Sequence, residues 1–139
     1  MATTKPMTGK CLCGAVTFTA EDVDPHVHAC HCDMCRRWSG GPGMAIYVGS
    51  IAFSGEENIT AYASSAWAER GFCRICGSNL FYRVKEPNRW VLWSGTLDDP
   101  SALELAGEIY IDEKPDFYAF AGERKRLTGA EFLKSIGLA

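Results

Sequence analysis

Cys30-His31-Cys32-Asp33-Met34-Cys35 packs three thiols into six residues, and the rest of the chain is best read outward from it. Sulfurs this close can converge on one soft ion, because zinc and similar metals bind thiolates in a compact tetrahedron. Two further clusters flank the stretch: Cys11-Leu12-Cys13 before it and Cys73-Arg74-Ile75-Cys76 after it. The 7 cysteines divide into four and three. Four thiolates close a zinc site, whereas three leave a coordination position open for chemistry.

Residues i and i+2 of an extended strand share a face, so Cys11 and Cys13 present their sulfurs together, as do Cys30 and Cys32. Cys73-Arg74-Ile75-Cys76-Gly77 has the form of a metal knuckle, its glycine tolerating the positive φ that curls the backbone round an ion. Cys30, Cys32 and Cys35 can form a local three-thiolate claw. Cys11, Cys13, Cys73 and Cys76 are then left for a structural four-thiolate site that ties an early strand to a late hairpin. By spacing alone, the alternative in which Cys30 and Cys32 join Cys73 and Cys76 stays open. His31, between two ligands, points away from them on a strand. His28 shares the face of Cys30; if it closes the claw, both sites are structural and the protein is a non-catalytic zinc-stabilised binding module. A redox or zinc-storage protein with labile metal is a third reading. His26 reads as an exposed turn residue.

The chain has 139 residues, as expected for a single domain over 1–139, and 47% of them are hydrophobic, enough for a core. Its 4 Trp, 5 Tyr, 7 Phe and 14 Gly suggest a β-rich, turn-rich fold. The formal charge is -3, and loading seven thiolates with two zinc ions makes it more negative still. That balance argues against nucleic acid as a partner, since phosphate binding needs positive charge. The longest basic run, Arg124-Lys125-Arg126, reads as solvated surface. No stretch approaches the roughly 20 apolar residues that span a bilayer, and the N-terminal residues carry no leader-like pattern. A cytoplasmic location without membrane attachment is expected, where clustered cysteines serve as metal ligands rather than disulfides. Oligomeric state is not legible.

Residues 14–20 alternate apolar and polar, a strand period with Val16 and Phe18 facing a core. Residues 27–32 read as a second strand carrying the central cluster, and 38–43 as a loop. Further strands are expected at 44–48, 51–53, 59–63, 80–84, 90–94 and 108–111, separated by Gly, Pro, Asn and Asp as in antiparallel all-β folds. Thr128-Gly129-Ala130-Glu131 is a capping-box pattern opening a short C-terminal helix that Gly137 stops.

An open three-thiolate zinc suits an incoming thiol, because coordination strips its proton and yields a thiolate that can add to an aldehyde carbonyl. The chemistry this suits is addition of a thiol to an electrophilic carbonyl such as an aldehyde, or its reverse. Cys30, Cys32 and Cys35 would carry the catalytic zinc. Arg36 and Arg37, directly after the claw, would bind an anionic substrate, since guanidinium grips a carboxylate through paired hydrogen bonds. Arg70 and Arg74 flank the knuckle and are weaker candidates for the same task.

Four segments resemble the glutathione-dependent formaldehyde-activating enzyme family, related in turn to centromere protein V. They are Gly9-Lys10-Cys11-Leu12-Cys13-Gly14-Ala15-Val16, Cys30-His31-Cys32-Asp33-Met34-Cys35-Arg36, Arg70-Gly71-Phe72-Cys73-Arg74-Ile75-Cys76-Gly77-Ser78 and Ser94-Gly95-Thr96-Leu97-Asp98-Asp99-Pro100. The similarity covers residues 9–115. It implies a β-tent of small antiparallel sheets and two zinc ions. The structural ion would sit on Cys11, Cys13, Cys73 and Cys76, and the ion linked to catalysis on Cys30, Cys32 and Cys35. The activity it implies is condensation of formaldehyde with glutathione to S-hydroxymethylglutathione, a carbon–sulfur lyase reaction. The centromere branch, with chromosomal roles, would favour a basic character that this chain lacks.

Overall fold

The computed structural model describes residues 5–138. In chain order these form strands β1 Met7–Lys10, β2 Thr17–Glu21 and β3 His26–Cys30, then helix α1 Asp33–Ser39. Strands β4 Gly43–Val48, β5 Ser50–Ser54, β6 Ile59–Tyr62, β7 Ala68–Cys73, β8 Asn79–Val84, β9 Arg89–Trp93, β10 Glu104–Ile109 and β11 Lys125–Leu127 follow, and helix α2 Gly129–Ser135 comes last. The fold is mainly β with a short C-terminal helix, as expected. The chain divides into two compact units: residues 5–25 with 45–103, and residues 26–44 with 104–138.

In the first unit every strand pairing is antiparallel. Strands β1, β2 and β5 form one small sheet, and β4, from Ala45 on, continues through β9, β8 and β7 to β6. In β2 the alternation holds: Phe18 and Ala20 are buried, and Thr17 and Thr19 are exposed. Phe53 of β5 meets Phe18 of β2, Phe81 of β8 and Trp90 of β9 at ring separations of 6.0, 5.5 and 6.3 Å, so an aromatic cluster joins the two sheets. Apolar area of this size dominates core energetics.

Strands β1, β7 and β11 were not expected. In β7 the sequence Ala-Glu-Arg-Gly-Phe-Cys shows no apolar alternation, yet Arg70 is buried there. Its guanidinium lies 5.0 Å from the ring centre of Tyr82 and 5.9 Å from that of Trp93, so aromatic faces replace water around the charge. Arg74 bonds the Glu57 carbonyl and the Asn58 side chain. Both arginines thus serve the fold of this unit.

The second unit departs from the antiparallel expectation. Strand β10 pairs in parallel with β3 on one side and β11 on the other. That register sets Glu108 opposite Ala29 and opposite Arg126. Strand β10 is earlier than the expected 108–111, since it runs from Glu104 and ends where Tyr110 turns left-handed (φ 55). His26 opens β3 half-buried and is not a turn residue. Helix α2 carries the capping box in full: Thr128 Oγ1 accepts from the Glu131 N–H, and Glu131 accepts from the Thr128 N–H.

Helix α1 was not expected and takes the first two residues of the expected loop over 38–43, leaving 40–42 as loop. It starts immediately after Cys32 and ends at Gly40, whose φ of 76° closes the last turn. Only Cys35 of its residues is buried, so no apolar stripe announced it. Its N-cap is Cys32, whose sulfur accepts the Cys35 N–H at 3.4 Å. Cysteine is not among the residues usually read as caps.

Candidate metal centres

In the first unit, Cys11 and Cys13 follow β1, Cys73 ends β7, and Cys76 lies on the turn to β8. Their sulfurs all lie within 4.8 Å of one another. Cys11 and Cys13 are 3.6 Å apart and Cys13 and Cys73 are 3.8 Å apart. Four zinc–sulfur bonds of about 2.3 Å in a regular tetrahedron separate the sulfurs by about 3.8 Å, so the cage is consistent with zinc. Backbone N–H groups point inward: Val16 toward Cys11 at 3.4 Å and Cys76 toward Cys73 at 3.5 Å. Gly77 has φ 81°, the left-handed turn read from the knuckle pattern.

Ser78, quoted above without a role, buttresses this cage. Its hydroxyl accepts from the Leu12 N–H at 2.9 Å and lies 3.2 Å from the Cys76 sulfur. Hydrogen bonds from the Ser78 side chain and backbone bring the Cys76 thiol down to about 5. At Cys13 the backbone at Ala15 lowers the thiol, but burial and the other three sulfurs outweigh it and push it up to about 11. The contrast arises because the clustered thiols hydrogen-bond one another, so that one is held ionised while its neighbour keeps its proton, and a divalent cation would favour all four as thiolates.

In the second unit, Cys30 ends β3, Cys32 caps α1, and Cys35 sits in its first turn. Their sulfurs also lie within 4.8 Å of one another. Hydrogen bonds with Cys32 and then Cys35, with burial added, push the Cys30 thiol far above its ordinary range. Among the described residues, no fourth His, Cys, Asp or Glu joins the trio. His28 is not part of it, and its ring lies against Gly107, where an added Cβ would meet Cδ2 at 3.0 Å. The structure thus groups the cysteines as four and three, and both groups could hold a metal ion. None of the seven is joined in a disulfide.

Arg36 and Arg37 both lie on α1. Arg36 Nε donates to the His31 carbonyl at 2.9 Å. Arg37, 79% exposed, pairs with Asp33 one helical turn earlier at 3.0 Å. The Asp33 N–H in turn donates to Glu113 at 2.9 Å.

Behind the trio lies a polar network that the sequence reading missed. His31 is fully buried, with Nε2 2.8 Å from Glu108 and Nδ1 2.9 Å from the Tyr118 hydroxyl. An ionised carboxylate only accepts, so Nε2 carries a proton toward Glu108. The other oxygen of Glu108 accepts from Arg124 at 2.8 Å and Arg126 at 2.9 Å. Of the basic run only Lys125 is exposed as expected, since Arg124 and Arg126 turn onto a buried carboxylate. Three neighbouring basic residues give no hint of an acid 16 to 18 positions earlier.

Burial pushes the Glu108 carboxyl up, but hydrogen bonds from Arg124, His31 and Arg126 outweigh it, leaving it below its ordinary 4.5. With the folded value below the unfolded one, the stabilisation is complete above the unfolded value and fades as pH falls through the folded one. Glu108→Gln strands two arginines, and is expected to destabilise the protein by about 3 kcal/mol at neutral pH. The same variant should flatten the acid limb of a plot of melting temperature against pH. An unchanged acid limb would count against this assignment.

A mainly β scaffold carrying a closed set of four thiols and a separate set of three defines a cysteine-cluster protein with two candidate metal centres. The family described as glutathione-dependent formaldehyde-activating enzyme matches residues 6–113, and the chain belongs to it. An uncharacterized lyase of Schizosaccharomyces pombe is 37% identical over 135 residues, spanning 92% of this chain and 95% of that protein. A Halomonas elongata protein, named provisionally as a glutathione-dependent formaldehyde-activating enzyme, is 35% identical over 94 residues, 59% of this chain and 57% of its own length. The crystal structure of a Rhodobacter sphaeroides protein, a structural genomics target, superposes with a TM-score of 0.56 at 28% identity, covering 66% of this chain and 88% of that one.

Proposed function

We propose that this protein is a zinc-dependent carbon–sulfur lyase-type enzyme. It joins a glutathione-like thiol to a small aldehyde such as formaldehyde, or runs the reverse, in the manner of an S-hydroxymethylglutathione synthase. The observation that carries the reading is the trio of Cys30, Cys32 and Cys35 with no fourth side-chain ligand among the described residues. Family membership and the names of its relatives support a glutathione-related, formaldehyde-activating role.

Cys30, Cys32 and Cys35 would hold the catalytic zinc, and Cys11, Cys13, Cys73 and Cys76 a structural one. When bound, the catalytic ion supplies Lewis acidity that keeps an incoming thiol ionised at neutral pH. In the reaction a sulfur–carbon bond forms, the carbonyl π electrons pass to oxygen, and that oxygen takes up the proton lost by the thiol. Arg36 and Arg37 orient the carboxylates of the thiol substrate. Arg36 is the better placed, because its bond to the His31 carbonyl holds it beside the trio. No helix among the described residues is long and apolar enough to cross a membrane, and a cytoplasmic location belongs to the same proposal.

Glutathione and formaldehyde mixed with zinc-loaded protein should yield S-hydroxymethylglutathione faster than the spontaneous reaction, followed by proton NMR. A rate equal to the protein-free control rejects this substrate pair.

A further inference from the structure

Residue 31 is held at every polar group it has. Its N–H donates to the Ile109 carbonyl at 3.1 Å, and its carbonyl accepts from Arg36. Its imidazole is gripped at both nitrogens by Glu108 and Tyr118. The Tyr118 and Phe120 rings lie 5.6 and 6.0 Å from it. The neighbours on either side are Cys30 and Cys32. Successive side chains of extended backbone point to opposite faces, so fixing the direction of the imidazole fixes the direction of the two sulfurs.

The grip comes largely from one late segment. Tyr118, Arg124 and Arg126 all lie beyond residue 113, where the family match ends. The segment is itself tied down: Lys114 Nζ donates to the Pro115 and Tyr118 carbonyls, and Arg126 donates to the Gly122 carbonyl and to Glu123. Stability alone does not call for such a device, because apolar residues of similar volume often replace a buried ionic cluster without loss. A fully satisfied polar network does something apolar packing does not: it fixes one orientation.

We propose that the segment from Tyr118 to Arg126 is a positioning element for the Cys30, Cys32 and Cys35 centre, acting through the imidazole of His31. This rests on reading the trio as a metal centre. Glu108 is the joint, since one oxygen holds His31 and the other holds both arginines. Tyr118 and the arginines are positioning residues. They tune how firmly the trio holds its ion and leave the four-thiol cage untouched.

Cadmium-113 NMR of the fully loaded protein tests this, with Cys32→Ser assigning the trio's resonance. Wild type should give two resonances. In Tyr118→Phe and in the double variant Arg124→Met with Arg126→Met, the trio's resonance should move and the other stay. Competition with a chelator should show the trio's affinity weakened about tenfold, as is usual when a hydrogen-bonded support of a metal centre is removed. Two resonances unmoved in both variants, with unchanged affinities, overturn the proposal and leave the metal centre standing. A wild type that binds one equivalent overturns the metal-centre reading as well. Should the double variant fail to fold, Tyr118→Phe, which deletes one oxygen atom, decides by the same criterion.

Discussion

Cys73→Ser is expected to lower the melting midpoint by about 15 °C or more and to remove one metal equivalent per chain. Cys73 is completely buried at the end of β7, where it pairs with Ile59. Its sulfur lies 3.8 Å from that of Cys13 and accepts the Cys76 N–H. Binding at a structural four-thiolate zinc site is worth about 10–16 kcal/mol in small zinc-dependent folds, and whole domains are stable by only about 5–15 kcal/mol. Losing one of four ligands forfeits enough of this to rival the margin. A loss of about 4 kcal/mol alone corresponds to about 15 °C or more in a domain this small. Stoichiometry by elemental analysis and a circular dichroism melt make the check. Two equivalents and an unchanged midpoint would rule out the four-thiol set as a metal centre.

At the other centre the consequence should fall on chemistry and spare the fold. Cys32→Ser is expected to abolish catalysed turnover, down to the spontaneous rate, while shifting stability by about 1 kcal/mol or less. The asymmetry follows from where Cys32 sits. It is the N-cap of α1, and serine is among the residues best suited to that position, so its hydroxyl can take over the Cys35 N–H. A neutral hydroxyl is a much poorer ligand than a thiolate for a soft ion. The folded variant should bind one metal equivalent instead of two. Turnover persisting at the wild-type rate would sink the catalytic assignment of the trio.

These outcomes differ because the two clusters are embedded differently. The four-thiol set joins the end of β1 to the β7–β8 turn, with Cys13 and Cys73 60 positions apart along the chain, and so closes a long loop. The three-thiol set spans one strand end and one helical turn, and its support comes from the His31 network. Loss of an ion that staples distant segments is felt by the fold. Loss of an ion held within six residues is felt mainly at the site.

Much of this was legible from residue spacing. Close spacing put Cys11 with Cys13 and Cys30 with Cys32, although Cys11 and Cys13 meet on a turn after β1 and not on the expected strand, and the glycine after Cys76 announced its left-handed turn. Alternation found β2 with the correct inward face. The capping box found α2, because both of its hydrogen bonds form within four residues. Where the pattern is local the reading succeeded, since backbone geometry alone dictates it.

What escaped was long-range or hidden in polar residues. Strand β7 was invisible because its buried member is an arginine sheathed by Tyr82 and Trp93, which lie 12 and 23 positions later. Helix α1 was invisible because a sulfur does the capping and little of it is buried. His31 could be seen to point away from the thiols, but not toward what. Arg124 and Arg126 looked like solvated charge because their partner sits on β10.

From the chain's letters alone came the cysteine grouping by proximity, a mainly β character and the family resemblance, all set by intervals of two to four residues. Folding alone settled that four thiols join across the first unit, that Glu108 meets two arginines, and that His31 is locked between Glu108 and Tyr118. Those pairings depend on strand register and burial. A carboxylate finds its cations there because desolvation leaves it no other partner, and nothing in a linear order of residues encodes that.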